Sequence, residues 1–326
     1  MGRPAATADG VHAVPSTGSR VPVRLSVIIP ATDDPATIGR CRHAMALAHE
    51  PPAEILVVDT APGEGAAHAR NAGALAASGN VLVFVDADVA VHPDSFLRIR
   101  AAFERDSGLS ALFGSYDDEP SAPGTVSTFR NLLHHHVHQT AETPAQTFWA
   151  GLGAIRRPAF EALGGFDTVT PHRRAVEDVE LGMRLADAGG RIVLDPELRC
   201  THMKPWTLGS MLRTDLVNRG VPWVGLLVAR RRVPAALNLR WRHRLSAACW
   251  VVALATLARG RRAAPLAALS LTAWLNRSFY ALLRGRHGER QALLGFFLHG
   301  LHHLTAVASV PVGIVVYVRD KRAGRR

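Results

Sequence analysis

A chain of 326 residues with 38 Lys and Arg against 27 Asp and Glu is long enough for one large core or two domains, and its formal net charge is +11. From Arg219 onward there are 19 Lys and Arg against two Asp and Glu, whereas the residues before it are mildly acidic. The basic residues punctuate apolar runs rather than aromatic platforms, so nucleic acid is excluded as the expected partner. Three scattered cysteines, Cys41, Cys200 and Cys249, exclude a disulfide framework and a zinc spacing, and fit a reducing cytoplasm.

Residues 1–24 are rich in Ala, Pro, Gly, Ser and Thr, lack an apolar secretory core and read as a disordered tail. A buried strand follows at Leu25 to Ile29, closed by Pro30, and Ala31-Thr32-Asp33-Asp34-Pro35 has the composition of a turn and helix start. A helix over residues 36–49 leads to a second strand, Glu54 to Val58, ending at Asp59. After the Gly63-Glu64-Gly65 loop, an alanine-rich helix over 66–77 carries Arg70 and Asn71. The third strand is the most informative stretch: Val81-Leu82-Val83-Phe84-Val85 is apolar on both faces, as a covered parallel strand is, and ends in Asp86-Ala87-Asp88. Two carboxylates where such a strand ends form a hard oxygen site for Mg²⁺ or Mn²⁺, the usual counterion of a diphosphate. Right-handed crossovers bring Thr32, Asp59, Asp86 and Asp88 to one edge of a doubly wound parallel sheet.

Beyond Pro93 the pattern gives a helix to about Asp106, a strand over 109–114 and a helix over 129–140 bearing His134, His135, His136 and His138. Adjacent helical residues face different ways, so at most one pair of these histidines could chelate, and a metal role is not the expectation. Trp149 to Ile155 reads as a tight loop entering a strand, with Gly151 free of a side chain for close approach to a ligand. A helix opens near Ala175-Val176-Glu177-Asp178, whose carboxylates suit the helix dipole on structural grounds alone; a general base beside a bound donor is the functional reading.

Taken in order, Ser26-Val27-Ile28-Ile29-Pro30, Val57-Val58-Asp59, Ala69-Arg70-Asn71-Ala72-Gly73, Asp86-Ala87-Asp88, Gly164-Gly165-Phe166-Asp167, Val176-Glu177-Asp178 and His202 resemble the family 2 glycosyltransferases with the GT-A fold, over roughly residues 25–223. The resemblance implies an α/β fold, Rossmann-like with a mostly parallel sheet flanked by helices. It implies that Asp59 bonds the nucleobase, that Pro30, Thr32 and Asp34 shape the nucleotide pocket with Arg70 beside it, and that Ala87 and Gly151 lie against the nucleotide sugar. Asp86 is then near the ribose and metal, and Asp88 and His202 hold a divalent cation, Mn²⁺ or Mg²⁺. Asp178 is the catalytic base with Glu177 beside it at the acceptor. The implied activity is inverting transfer of one sugar from a UDP- or GDP-linked donor to a hydroxyl or phosphate acceptor. Asp59-Thr60-Ala61-Pro62 departs from the family's usual Asp-Asp-Gly-Ser. The Gln-x-x-Arg-Trp motif of processive members is absent, which favours single transfer. A nucleotidyltransferase-like enzyme and a catalytically inactive membrane-associated binding protein are the rival readings.

Residues 224–326 form a basic, apolar helical region with three apolar segments, 245–258, 263–283 and 292–318, bracketed by arginine clusters. A bilayer span needs about 20 apolar residues, so the second and third suffice by length. The expectation is a chain at the cell membrane with its catalytic domain facing the cytoplasm and a lipid or small-molecule acceptor. Asn276, Arg277, His299, His302 and His303 inside the apolar runs supply the alternative, a soluble helical domain packed on the catalytic core.

Overall fold

The computed structural model describes residues 22–32, 36–61, 63–141, 143–169, 175–231 and 240–324. Most of the expected N-terminal tail, and Asp34, lie outside them. Seven strands form one sheet in the order β2-β1-β3-β6-β5-β7-β4. The first half follows the expected pattern: β1 (Leu25–Pro30), α1 (Ile38–Ala46), β2 (Glu54–Val58), α2 (Ala66–Ala76) and β3 (Val81–Val85), with β1 parallel to both β2 and β3. β1 and β3 are buried at every position, which is why their apolar runs do not alternate.

The second half is where the sheet becomes mixed. β6 (Leu152–Arg156) runs antiparallel between β3 and β5 (Leu109–Tyr116), and the short β4 (Val89–Val91) pairs antiparallel with β7 (Arg191–His202), itself parallel to β5. Parallel pairing is therefore confined to β1, β2, β3 and the β5–β7 pair, and the single doubly wound parallel sheet expected from the crossovers is not what forms. The cause is β6, which follows a helix and loop that return the chain to the wrong end of the sheet for a parallel entry. Helices α3 (Ser95–Arg105), α4 (Thr125–Gln139), α5 (Arg157–Ala162) and α6 (Glu177–Asp187) complete the layers around a core led by Phe84, Phe96, Phe103, Phe113 and Phe148.

Two close approaches fix the functional edge. A Cβ on Gly182 of α6 would lie 2.1 Å from the backbone nitrogen of Phe148, so only glycine lets α6 seat on the 147–148 segment before β6. Gly114 is crossed as tightly by the carbonyl of Leu198 on β7.

After β7 come α7 (Leu208–Arg213), a π-helical turn (Thr214–Gly220), α8 (Val221–Arg230), α9 (Trp241–Leu257), α10 (Ala263–Leu275) and α11 (Arg277–Arg322). The boundary expected at 223/224 falls inside α8. The apolar segment expected over 263–283 is divided at Asn276, a buried amide that bonds Ser246 Oγ and the Thr272 carbonyl and so ends α10. α11 is broken at Gly288, which adopts φ 80 and ψ 176. It packs on the catalytic layer through a second core cluster, where Phe279, Leu283 and Leu298 meet Phe129, Leu132 and Leu133 of α4. α11 is the one described helix long and apolar enough to cross a membrane; only 17% of its most apolar window is buried.

Candidate active site

At the functional edge of the sheet lies a cleft of about 460 Å³, within the size range of small-ligand sites. Asp86, Ala87 and Asp88 line it from the β3–β4 turn, Pro30 and Thr32 from the end of β1, Arg70 from α2, Glu177 and Asp178 from the start of α6, and His202 from the end of β7. Nine of the residues singled out from the sequence therefore converge.

The turn after β3 is held by its backbone. The Asp86 N–H donates to the Gly151 carbonyl at 3.1 Å, and Val89 N–H closes the turn onto the Asp86 carbonyl. The Asp88 carbonyl accepts from Met203 N–H at 2.8 Å, and the register pairs Val89 with His202. Strand pairing thus brings residues over a hundred positions apart together: His202 Nε2 lies 3.6 Å from Asp88 Oδ2, and the Tyr116 ring stacks on the imidazole at 4.3 Å. Burial acts to push the Asp88 carboxyl up, but His202 and Lys204 outweigh it and hold it below the usual carboxylate range. Asp86 differs. Burial raises it, although Arg70 opposes that rise with a 2.6 Å ion pair.

Arg70 is the structural centre of the acidic wall. One terminal nitrogen bonds Asp86 Oδ1 and the other bonds Glu177 Oε1, both at 2.6 Å, and its side chain is 5% exposed. Both forks are occupied by acids, so Arg70 braces the site; it lines the cleft, but its charge is already neutralised. Glu177 is correspondingly tied to Arg70 while lining the cleft beside Asp178. Burial pushes the Glu177 carboxyl up to about 7, with the Asp178 charge adding to the rise and Arg70 opposing it. Folded Glu177 therefore holds its proton more tightly than the unfolded chain does. The stability this contributes is present in full below about 4.5 and is lost as pH rises through about 7. We expect the thermal midpoint to fall between pH 5 and pH 8, and Glu177→Gln to flatten that fall; an unchanged slope in the variant would assign the pH dependence elsewhere.

Asp178 is oriented by two amides: Oδ1 accepts from Val179 N–H at 2.8 Å and Oδ2 from Ala150 N–H at 3.2 Å. The first turn of α6 and the loop before β6 thus aim one half-buried carboxylate into the cleft. Among the described residues it makes no ion pair comparable to those of Glu177 and Asp86.

Two expected residues stand apart. Asp59 is exposed beyond β2, its carboxylate caps Thr60 N–H, and it does not line the cleft; β2 is an edge strand one position outside β1. Gly151 does not line it either. Its carbonyl anchors Asp86, and the Trp149 ring closes over it, so a Cβ there would lie 2.3 Å from the indole.

The cleft also contains groups to which motif reading gave no part in the site. Arg130 and His134 come from α4, Lys204 and Trp206 follow β7, and Thr214, Asn218 and Arg219 come from the π-helical turn. The histidines of α4 serve the structure: His135 Nδ1 and His138 Nδ1 bond the carbonyls of Tyr116 and Gly114, and His134 stacks on Tyr116. Burial pushes His138 down to about 4.

No group of three or more His, Cys, Asp or Glu side chains is arranged around one point among the described residues. Asp88 with His202 offers two donors, oxygen and imidazole nitrogen, and one oxygen of Asp86 is taken by Arg70. Such a set fits a divalent cation that takes its remaining ligands from a bound diphosphate.

Residues 11–217 match the family described as glycosyltransferase like family 2. The chain belongs to that family. The transferase matches no curated protein by sequence. Its fold is similar to that of a mannosyltransferase from Pyrobaculum calidifontis, solved in complex with GDP-mannose and Mn²⁺, at 18% identity and a TM-score of 0.57, over 89% of this chain and 87% of that one. It is also similar to glucosyl-3-phosphoglycerate synthase from Mycobacterium tuberculosis, solved with Mn²⁺, UDP-glucose and phosphoglyceric acid, at 18% identity and a TM-score of 0.45, over 65% and 81% of the two chains. The first likeness identifies the architecture as GT-A, mixed sheet included.

Proposed function

We infer that the transferase moves one sugar, with inversion, from a nucleoside-diphosphate sugar to a hydroxyl or phosphate acceptor, in a reaction dependent on Mn²⁺ or Mg²⁺. The observation that carries this reading is the placement of Asp88 beside His202 and of Asp178 across the same cleft. Asp88 and His202 would hold the cation, whose positive charge, when bound, stabilises the departing diphosphate. Lys204 adds positive charge beside Asp88 on the same side. Pro30, Thr32 and Ala87 form the floor for the nucleoside, and Asp59, one strand further out, would take the edge of the base where it extends past β1. The acceptor hydroxyl has a pKa far above neutrality, so Asp178 removes its proton as the oxygen attacks the anomeric carbon. One base and no carboxylate nucleophile suffice for a single displacement, which inverts the centre. The GDP-mannose and Mn²⁺ held by the similarly folded mannosyltransferase support this donor class.

Membrane attachment belongs to the same reading. Residues such as Leu254, Leu266, Trp274, Phe297 and Val315 leave large apolar surfaces of α9, α10 and α11 exposed, and a lipid phase is what covers an exposed apolar band of that kind. The protein is expected to need detergent for extraction.

The stereochemical test uses an α-linked nucleotide sugar and follows the product's anomeric coupling by NMR. A β-linked product is expected; an α-linked product would contradict single displacement by an acceptor activated at Asp178.

A further inference from the structure

The cleft holds two cations that the donor reading does not use. Arg70 is neutralised by Asp86 and Glu177, and Lys204 lies on the Asp88 side. Arg130 and Arg219 remain. Both line the main cleft, and both also line a smaller chamber of about 90 Å³ that adjoins it at Asp178.

The two arginines are held differently. Arg219 sits on the π-helical turn, exposed and without a carboxylate at ion-pair distance among the described residues. Single-turn π-helical distortions are frequent at functional sites, and this one turns Asn218 and Arg219 toward the cleft while Asp215 faces the protein. Arg130 is anchored: its side chain is 13% exposed, one terminal nitrogen bonds Asp215 Oδ1 at 2.8 Å, and the guanidinium lies over Trp206 at 4.9 Å. Asp215 is held in turn by His302 Nδ1 of α11 at 2.8 Å. One edge of Arg130 is thereby fixed by the C-terminal helix while the residue still contributes to the cleft wall. Burial pushes the guanidinium down despite Asp215, and the neighbouring charge of Arg219 adds to that push. Two like charges converging on a partly dry cavity are relieved by an anion between them, and guanidinium forks match phosphate oxygens.

Beside the arginines the chamber is lined by His134, His138, His302 and Asp178 and by an apolar wall. Leu133 and Val137 of α4, Phe148, Val179 of α6 and Trp223 of α8 line it, placing it between the catalytic layer and the C-terminal helices. A ligand entering here meets positive charge and hydrocarbon together.

We propose that Arg130 and Arg219 bind a phosphate monoester on the acceptor, and that the hydrocarbon adjoining this phosphate lies in the chamber walled by Leu133, Val137 and Trp223. The inference deepens the transferase reading and rests on it: the acceptor is a phosphate-headed lipid. Asp215 and His302 act through Arg130 as positioning residues.

The test uses the full chain in detergent and measures binding of farnesyl phosphate, farnesol and glycerol 3-phosphate by calorimetry, with Mn²⁺-dependent nucleotide-sugar binding followed in the same preparations. Farnesyl phosphate is expected to bind at least tenfold more tightly than either comparator. Arg219→Ala is expected to weaken farnesyl phosphate by about ten- to a hundredfold, the loss of a charge-assisted contact, while donor affinity stays within twofold. Arg130→Lys, which keeps the charge opposite Asp215 but loses the fork, is expected to weaken it by a smaller factor, so the reading does not depend on one variant. Equal binding of farnesol and farnesyl phosphate, or an unaltered affinity in Arg219→Ala, would overturn the phosphate site. Equal binding of glycerol 3-phosphate would overturn the role of the chamber. Because the donor arm is read separately, a preparation that binds donor yet shows no phosphate preference refutes this inference alone, and one that binds no donor strikes the transferase reading instead.

Discussion

Replacing Asp178 with asparagine is expected to lower the transfer rate by about 10²–10⁴-fold, the usual contribution of a positioned general base. The amide is nearly the same size, and its oxygen can still accept from Val179 N–H, but an amide cannot take up the acceptor's proton. Affinity for the nucleotide sugar should remain close to wild type, because the proposed cation and diphosphate contacts come from the ends of β3 and β7, not from α6. The measurement is a single-turnover rate at saturating donor alongside donor binding. A variant turning over at the wild-type rate would remove Asp178 from the chemistry and leave its carboxylate as a helix-terminal partner of two amides.

The second large effect is on folding. Arg70→Met removes the cation between Asp86 and Glu177 and leaves a half-buried and a buried carboxylate facing each other. Breaking a buried ion pair by deleting one partner costs about 3–5 kcal/mol, so the melting temperature should drop by on the order of 10 °C. The double variant Arg70→Met with Glu177→Gln should recover part of that loss, since one of the two stranded charges is gone. If the single variant melts with the wild type, Arg70 is not the brace described. Asp86 borders the proposed cation site, so the single variant should also weaken donor binding.

These expectations trace how far the chain could be read before its structure. The strands that end in Pro30 and Asp86 and the acidic start of α6 were legible because each carries its signal locally, in an apolar run that stops at a carboxylate. Asp88 and Asp178 line one cleft for that reason. β4 and β7 were hidden. β4 is three residues long, and the alternating burial of β7 is split into two short halves by Asp195-Pro196-Glu197, so neither forms a long window with a clear period. Arg130, Lys204 and Arg219 belong to three separate elements, and nothing in the spacing of basic residues says that they share a wall. Charge counting had already marked the last third as basic, but the His302–Asp215 contact, continued by Asp215 to Arg130 of α4, shows that this region reaches the catalytic layer. Asp59 shows the reach of that signal: a strand-end acid on an edge strand lies outside the cleft lining, one strand beyond β1.

The most direct test of the central claim is nucleotide-sugar binding, followed by thermal stabilisation, with and without Mn²⁺, for the wild type and for Asp88→Ala. A donor at a hundred times its dissociation constant should stabilise the wild type by about 2.7 kcal/mol in the presence of Mn²⁺. EDTA and the substitution should each remove most of that gain. Stabilisation of the same size in the presence of EDTA and in Asp88→Ala would contradict a cation held at Asp88 and His202, and with it the account of how the diphosphate leaves.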